Sequence, residues 1–230
     1  MNLENISYTD TLNTSKKSKD SNDLRMRNDV HLVRKFWHVG TGLAGLFVYL
    51  NSGLTQETMA MALIGLSLCA FTVEILRIKN ENINKIVLKF MGPFMRESER
   101  NSVSGFPFYA LGVGLCLGLF SNNIAILASM FLIFGDPISS YFGITFGREK
   151  ILPNKSLQGA MAGFITCYII TFFYSYQFVE LSPSLILFSL VGGFFGMLGE
   201  LSSIVADDNL TIPLVSGIGL TVANVIFKIL

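Results

Sequence analysis

Residues 123–146 read NIAILASMFLIFGDPISSYFGITF, and this stretch decides the fold. Twenty-four residues carry one charge, Asp136. As a helix they would span about 36 Å, enough to cross the roughly 30 Å hydrocarbon core of a bilayer. Asp136 stands in Gly135-Asp136-Pro137, well inside the apolar run. Proline disfavours helical geometry at the residue before it and suits the first position of a new helix, and Asp is a good N-cap. The stretch therefore predicts a broken helix whose second half starts within the membrane, with free N–H groups facing a pocket. Asp136, Ser140, Gly143 and Gly147 then share one stripe. A simple proline kink with a packed Asp is the plainer alternative, but an ionisable residue at membrane depth points to function.

The rest of the chain agrees with a membrane setting. It has 230 residues, 51% hydrophobic and only 14% charged, with a mean hydropathy of +0.53. A soluble domain carries about 25% charged residues. Six more apolar segments, near 36–50, 58–76, 105–120, 159–178, 184–205 and 212–230, make seven with the first. Between the second and third, Ile83, Ile86, Val87, Phe90 and Met91 recur at helical spacing beside Lys85 and Lys89, an amphipathic helix suited to the membrane interface. The expected fold is thus all-α and integral to the membrane, with seven transmembrane helices and one cytosolic interfacial helix. Residues 1–30 are polar and read as a disordered cytosolic tail, and 31–230 as a single transmembrane catalytic domain. Cys69, Cys116 and Cys167 all lie in apolar segments without metal-ligand spacing, so neither disulfides nor zinc are expected.

Charge orients the bundle. With the N-terminus in the cytosol, segments 1–35, 77–104, 147–158 and 206–211 face inward and hold seven, six, three and no Lys or Arg residues. Only Lys228 is left over, and the turns at 121–122 and 180–183 hold none. That distribution follows the positive-inside rule.

The same topology gathers the unusual polar residues at the cytosolic ends of helices. They are Arg34, Lys35 and His38, then Glu74 and Arg77, Asp136, Lys155, Glu200, and Asp207-Asp208-Asn209. Each ionised side chain within the membrane costs about 2.5–3.5 kcal/mol on the lenient insertion scale. Several together imply a hydrated pocket with carboxylates for a hard divalent cation and cations for phosphate oxygens. Taken singly, several have ordinary readings: Arg34-Lys35 as a headgroup anchor, Glu74 with Arg77 as an internal ion pair, Asp207–Asn209 as a solvated turn. Gly114-x-x-x-Gly118 and Gly192-x-x-x-Gly196 read as helix-packing faces. Lys155-Ser156 lacks the preceding glycine and strand of a P-loop.

In order, Arg34-Lys35-x-x-His38, Glu74-x-x-Arg77, Arg96-x-x-Glu99 before Ser104-Gly105, Gly135-Asp136-x(6)-Gly143-x(3)-Gly147, Lys155-Ser156-x-x-Gly159, Glu200 and Asp207-Asp208-Asn209 before Ile212-Pro213 resemble a known family. It is that of the CTP-dependent lipid kinases, which includes diacylglycerol kinase of the eukaryotic endoplasmic reticulum, dolichol kinase and phytol kinase. The likeness covers about residues 33–217 and extends distantly to CDP-diacylglycerol synthases. Gln158, Gly159 and Ala160 stand where the family usually has Glu, Gly and Ser. The resemblance implies CTP as donor, Mg²⁺ or another divalent cation such as Ca²⁺, and transfer of the terminal phosphoryl group to a lipid alcohol. Arg34, Lys35, Asp136 and Gly143 match positions that the family needs for activity.

The expected catalytic set is Asp136, Lys155, Arg34, Lys35 and Glu200. Phosphate and nucleotide binding are expected of Arg34, Lys35, Gly143, Lys155, Ser156 and Arg77, and metal binding of Asp136, Asp207, Asp208 and Asn209. Diacylglycerol is the favoured acceptor, because the compact chain resembles that branch more than the larger dolichol kinases. Dolichol, polyprenol or phytol kinase, a phosphatidate cytidylyltransferase, and a small transporter built on the broken helix remain alternatives. No nucleic-acid partner is expected, and oligomeric state is not legible. The host membrane would be endoplasmic reticulum or nuclear envelope in a eukaryote, or the inner membrane of a bacterium.

Overall fold

The computed structural model describes residues 32–204 and 206–230. The polar tail at 1–30 lies outside the described residues. The described residues are all helical or loop apart from one small hairpin. In order come α1 (Leu32–Asn51), α2 (Gln56–Lys79), α3 (Glu81–Met91), α4 (Gly105–Leu119), α5 (Asn122–Met130), α6 (Asp136–Thr145), strands β1 (Lys150–Leu152) and β2 (Lys155–Ser156), α7 (Leu157–Ser175), α8 (Pro183–Leu201) and α9 (Asp208–Phe227). Five helices are long and apolar enough to cross a bilayer: α2, the continuous α5–α6 rod, α7, α8 and α9. Helix α4 is apolar but has only 15 residues. The seven expected spans thus reduce to five that meet the length and apolarity of a crossing, with α1 and α4 beside them.

Local chemistry starts the helices where expected. Thr55 caps α2 through the amide of Thr58, Ser156 caps α7 through Gly159, and Ser182, followed by Pro183, caps α8 through Leu185. Such side-chain acceptors satisfy amides that a helix start leaves unpaired.

The α5–α6 rod is the central element. Ile124–Ser129 are all buried, and Leu127, Phe131 and Leu132 join Phe188, Leu185, Ile212 and Leu220 in the core. Helices α7, α8 and α9 pack in sequence around it, while α2 packs on α4. Small residues allow close approach where lipid supplies no hydrophobic drive between helices. A Cβ at Gly192 would collide with the Thr171 side chain, and one at Gly196 would lie 2.5 Å from the Cys167 sulfur.

The expected break at Asp136 is corrected by the structure. Asp136 is helical, with φ −61° and ψ −52°, and it caps nothing. The rod instead widens into a π turn over Phe131–Gly135, and the amide of Asp136 bonds back five residues to the carbonyl of Phe131. The cause is Pro137, whose ring would clash with the carbonyl four residues earlier in a regular helix. One wide turn relieves the clash without ending the helix, as single π turns do at many functional sites.

Helix α1 stands apart. Gly42 is its only buried residue, and it rests on the π turn and α6 rather than making an extensive interface with α2.

Candidate active site

A cavity of about 300 Å³ opens at the basic end of the bundle, within the usual range for small-ligand sites. Asp136, Ser139, Ser140 and Gly143 line it from α6, Gly147, Lys155 and Ser156 from the hairpin region, Glu200 from α8 and Asp208 from α9. The stripe of Asp136, Ser140, Gly143 and Gly147 thus faces one space, although the helix is not broken.

Lys155 is the hub. Its Nζ lies 3.0 Å from Glu200 Oε1 and 3.7 Å from Asp208 Oδ2, joining the hairpin to the ends of α8 and α9. Both Lys155 and Glu200 are largely buried, with side chains 12% and 6% exposed. Burial works against the ammonium charge, but Glu200, Asp208 and Asp136 outweigh it and raise the Lys155 pKa above its ordinary value. Glu200 Oε2 is buried beside the pocket without a hydrogen-bond partner among the described residues. Asp136 makes no ion pair among those residues.

Close backbone contact aims the hairpin. A Cβ at Gly159 would lie 2.9 Å from the Ser139 carbonyl and 3.0 Å from Gly143 Cα. The start of α7 thereby packs directly on α6, and Ser156 is brought against Gly143, donating to its carbonyl at 3.4 Å. Gln158 Oε1 accepts from the amides of Arg148 and Glu149, at 3.0 and 3.3 Å, and so fixes the entry to β1. A carboxylate could accept the same bonds, so this geometry suits Gln or Glu at position 158.

The first helix contributes at the rim. Lys35 Nζ donates to Ser140 Oγ at 2.8 Å and to the Pro137 carbonyl at 3.2 Å. Arg34 pairs with Glu99 at 2.8 Å and reaches the Phe94 carbonyl. Glu99 and the pocket-lining Arg96 were legible only as parts of the family pattern, since both sit in a short irregular loop.

Other expected ligands are placed differently. Arg77 is fully buried and committed to protein: it pairs with Glu74 at 2.7 Å and donates to Asn84 and to the carbonyls of Glu99, Arg100 and Ser102. It shapes the loop that carries Arg96 and Glu99, and it does not line the pocket. The acidic triplet is divided. Asp207 caps α9, accepting from the Asn209 amide and side chain, and its pKa is pushed up to about 6 by burial and by Asp208 next to it. Asn209 turns towards the Gly105 carbonyl. Only Asp208 faces the pocket.

Hard oxygen donors and cations share this space, but no three His, Cys, Asp or Glu side chains among the described residues gather closely enough to hold a metal alone. Mg²⁺ typically takes one or two carboxylates and completes its shell with water and phosphate oxygens, so Asp136 and Asp208 fit it.

The bundle and this pocket define a membrane enzyme that handles phosphate. Comparison with known proteins agrees: residues 38–204 match the model of the cytidylyltransferase family, to which the chain belongs, on the side of its CTP-dependent lipid kinases. It is 30% identical over 196 residues to CTP-dependent diacylglycerol kinase 1 of Schizosaccharomyces pombe, covering 80% of this chain and 89% of that protein. It is 27% identical over 217 residues to the Saccharomyces cerevisiae protein of the same name, covering 86% and 74%. An uncharacterized protein of Rickettsia prowazekii is also 27% identical, over 196 residues. No solved structure matches the chain significantly.

Proposed function

We propose that this protein transfers the terminal phosphoryl group of CTP to the hydroxyl of diacylglycerol, giving phosphatidate and CDP. The observation that carries the reading is Lys155, held between Glu200 and Asp208 in a pocket that Asp136 also lines. The named activity of the two yeast relatives supports the donor and acceptor.

Phosphoryl transfer needs positioning and charge stabilisation more than covalent chemistry from the protein. Lys155 is fixed by two carboxylates, so its ammonium meets the transferred group without reorganising. Arg96 and Ser156, which also line the pocket, add donors. Lys35, anchored on Ser140, sets the rim where the lipid headgroup enters. Mg²⁺, when bound by Asp136 and Asp208, would neutralise charge on the nucleotide phosphates. The hydroxyl oxygen bonds to the terminal phosphorus as the bridging P–O bond breaks, and CDP leaves. A loose transition state lets the hydroxyl proton depart late, so no dedicated base is required.

We place the pocket at the cytosolic face, with the N-terminus on that side and seven crossings in all, α1 and α4 completing the five long spans and α3 lying along the interface. Nearly all Lys and Arg residues lie at that end, as the positive-inside rule favours. The setting is the endoplasmic reticulum or nuclear envelope membrane in a eukaryotic host and the inner membrane in a bacterial one.

CTP labelled on its terminal phosphate tests the reaction in reconstituted protein. Label in phosphatidate with release of CDP is expected. Release of pyrophosphate, with CMP joined to phosphatidate, would make the protein a cytidylyltransferase instead.

A further inference from the structure

A second space runs beside the phosphate pocket, between α1 on one side and α2 and α4 on the other. It consists of two cavities of about 380 and 230 Å³ that share Thr41, Leu66, Phe106 and Tyr109 and so run end to end. The upper one has Arg34, Glu99 and Asn209 at its polar end; no charged side chain lines the lower one. From Arg34 to Tyr49, lining residues cover about 22 Å of α1, longer than the roughly 15 Å of one hydrocarbon leaflet. α1 touches α4 and α5 at Gly42 and Tyr49 but makes little interface with α2, so the cleft opens sideways on the α2 side.

One polar group marks its junction. Tyr109 lines both cavities, and its hydroxyl, buried against Gly42, has no hydrogen-bond partner among the described residues. A buried hydroxyl left unpaired is costly, so a ligand acceptor is its natural partner. Tyr109 packs edge-on against His38 at 4.7 Å, one helical turn from Lys35, which bonds α6 just beyond Asp136. Tyr109 thus stands one turn further along α1 than the lysine that contacts the pocket wall. An ester carbonyl would lie there in a glycerolipid whose free hydroxyl reached Asp136.

We infer that this cleft binds one acyl chain of diacylglycerol, with Tyr109 donating to the chain's ester carbonyl and Gly45 bordering the tail. The inference rests on the kinase reading and deepens it: a polyprenol or phytol has no carbonyl for Tyr109. Gly45 lines the lower cavity about 16 Å along α1 from Arg34, and a Cβ built there meets nothing within 4 Å. A large side chain at 45 would fill the cleft and leave the fold intact, since replacing helical glycine favours the helix. Gly40 is equally open but exposed outside the cleft, which makes it the control.

The experiment uses the full chain in vesicles, with dioleoylglycerol, its diether analogue, and a diacylglycerol carrying a photoactivatable diazirine near the tail end. Label is expected near Leu46 and Leu63, competed by dioleoylglycerol, weakened in Gly45→Trp and unchanged in Gly40→Leu. Tyr109→Phe should slow transfer to the diester about tenfold more than transfer to the diether, the scale of one lost hydrogen bond. Label spread evenly over the outer faces of α7 and α8, or Tyr109→Phe slowing both lipids alike, would overturn the inference. Specific labelling without any transfer from CTP would support the groove and refute the kinase reading.

Discussion

The ring Nε2 of His38 donates a 2.9 Å hydrogen bond to the carbonyl of Leu132, which the helix itself cannot satisfy. In a regular helix that carbonyl would accept from Asp136, but the Asp136 amide is turned to Phe131. In a π turn it would accept from residue 137, and proline has no amide proton. Since a carbonyl only accepts, the proton is on Nε2. His38 thereby ties α1 to the turn that aims Asp136 at the pocket.

Replacing His38 with Ala should leave the buried Leu132 carbonyl unpaired and lower stability by about 1–3 kcal/mol. Turnover should fall by up to about 10²-fold as Asp136 shifts. His38→Gln, which keeps a donor, should recover much of both. In a Pro137→Ala background residue 137 regains an amide proton, so losing His38 should cost less. Additive losses in the double variant, read by thermal unfolding in detergent, would contradict this account.

Lys155→Ala should lower turnover about 10²–10³-fold, as expected when a preorganised charge facing the transition state is removed. Glu200→Gln should cost less, because Asp208 still holds the lysine. Steady-state rates with CTP measure both, and equal losses would mean that Glu200 does more than orient Lys155.

Arg77 is predicted to matter for folding, not for nucleotide affinity. Arg77→Ala leaves the buried Glu74 carboxylate without its cation and the Glu99 and Ser102 carbonyls without their Arg77 donor, and breaking a buried pair costs about 3–5 kcal/mol. Folded protein that survives should keep its KM for CTP. A KM raised tenfold with unchanged melting would instead make Arg77 a phosphate ligand.

Gly159→Ala should damage the enzyme more than Gly143→Ala. The first Cβ would press on backbone atoms at 2.9 and 3.0 Å, which cannot yield without moving α6 and α7 apart. The second would meet the Ser156 hydroxyl at 3.2 Å, a side chain with some freedom to turn. Thermal unfolding of the two variants compares them.

Much of this arrangement was readable beforehand. Apolar runs gave the helices to within a few residues, and alternation of their ends placed Asp136, Lys155, Glu200 and Asp208 on one side. Lys155 meets Glu200 across 45 residues because the hairpin before α7 and the last turn of α8 lie at that same side. What escaped the sequence were details of backbone path and pairing. Proline at 137 signals disturbance, but whether a helix breaks or widens depends on the surrounding core, where Phe131 and Leu132 are fully buried. Asp207, Asp208 and Asn209 look alike in a row, yet at the start of α9 only Asp208 faces the pocket, while Asp207 and Asn209 bond each other. In the sequence Arg77 reads equally as the partner of Glu74 and as a phosphate ligand, until the loop that it binds is folded around it.

The claim beneath all of this is that Asp136 faces the transferred phosphoryl group. Asp136→Asn in vesicles, assayed with terminally labelled CTP and diacylglycerol, tests it most directly. Phosphatidate labelling should fall by at least about 10²-fold while the melting temperature stays unchanged. Undiminished labelling by a folded Asp136→Asn protein would contradict the account.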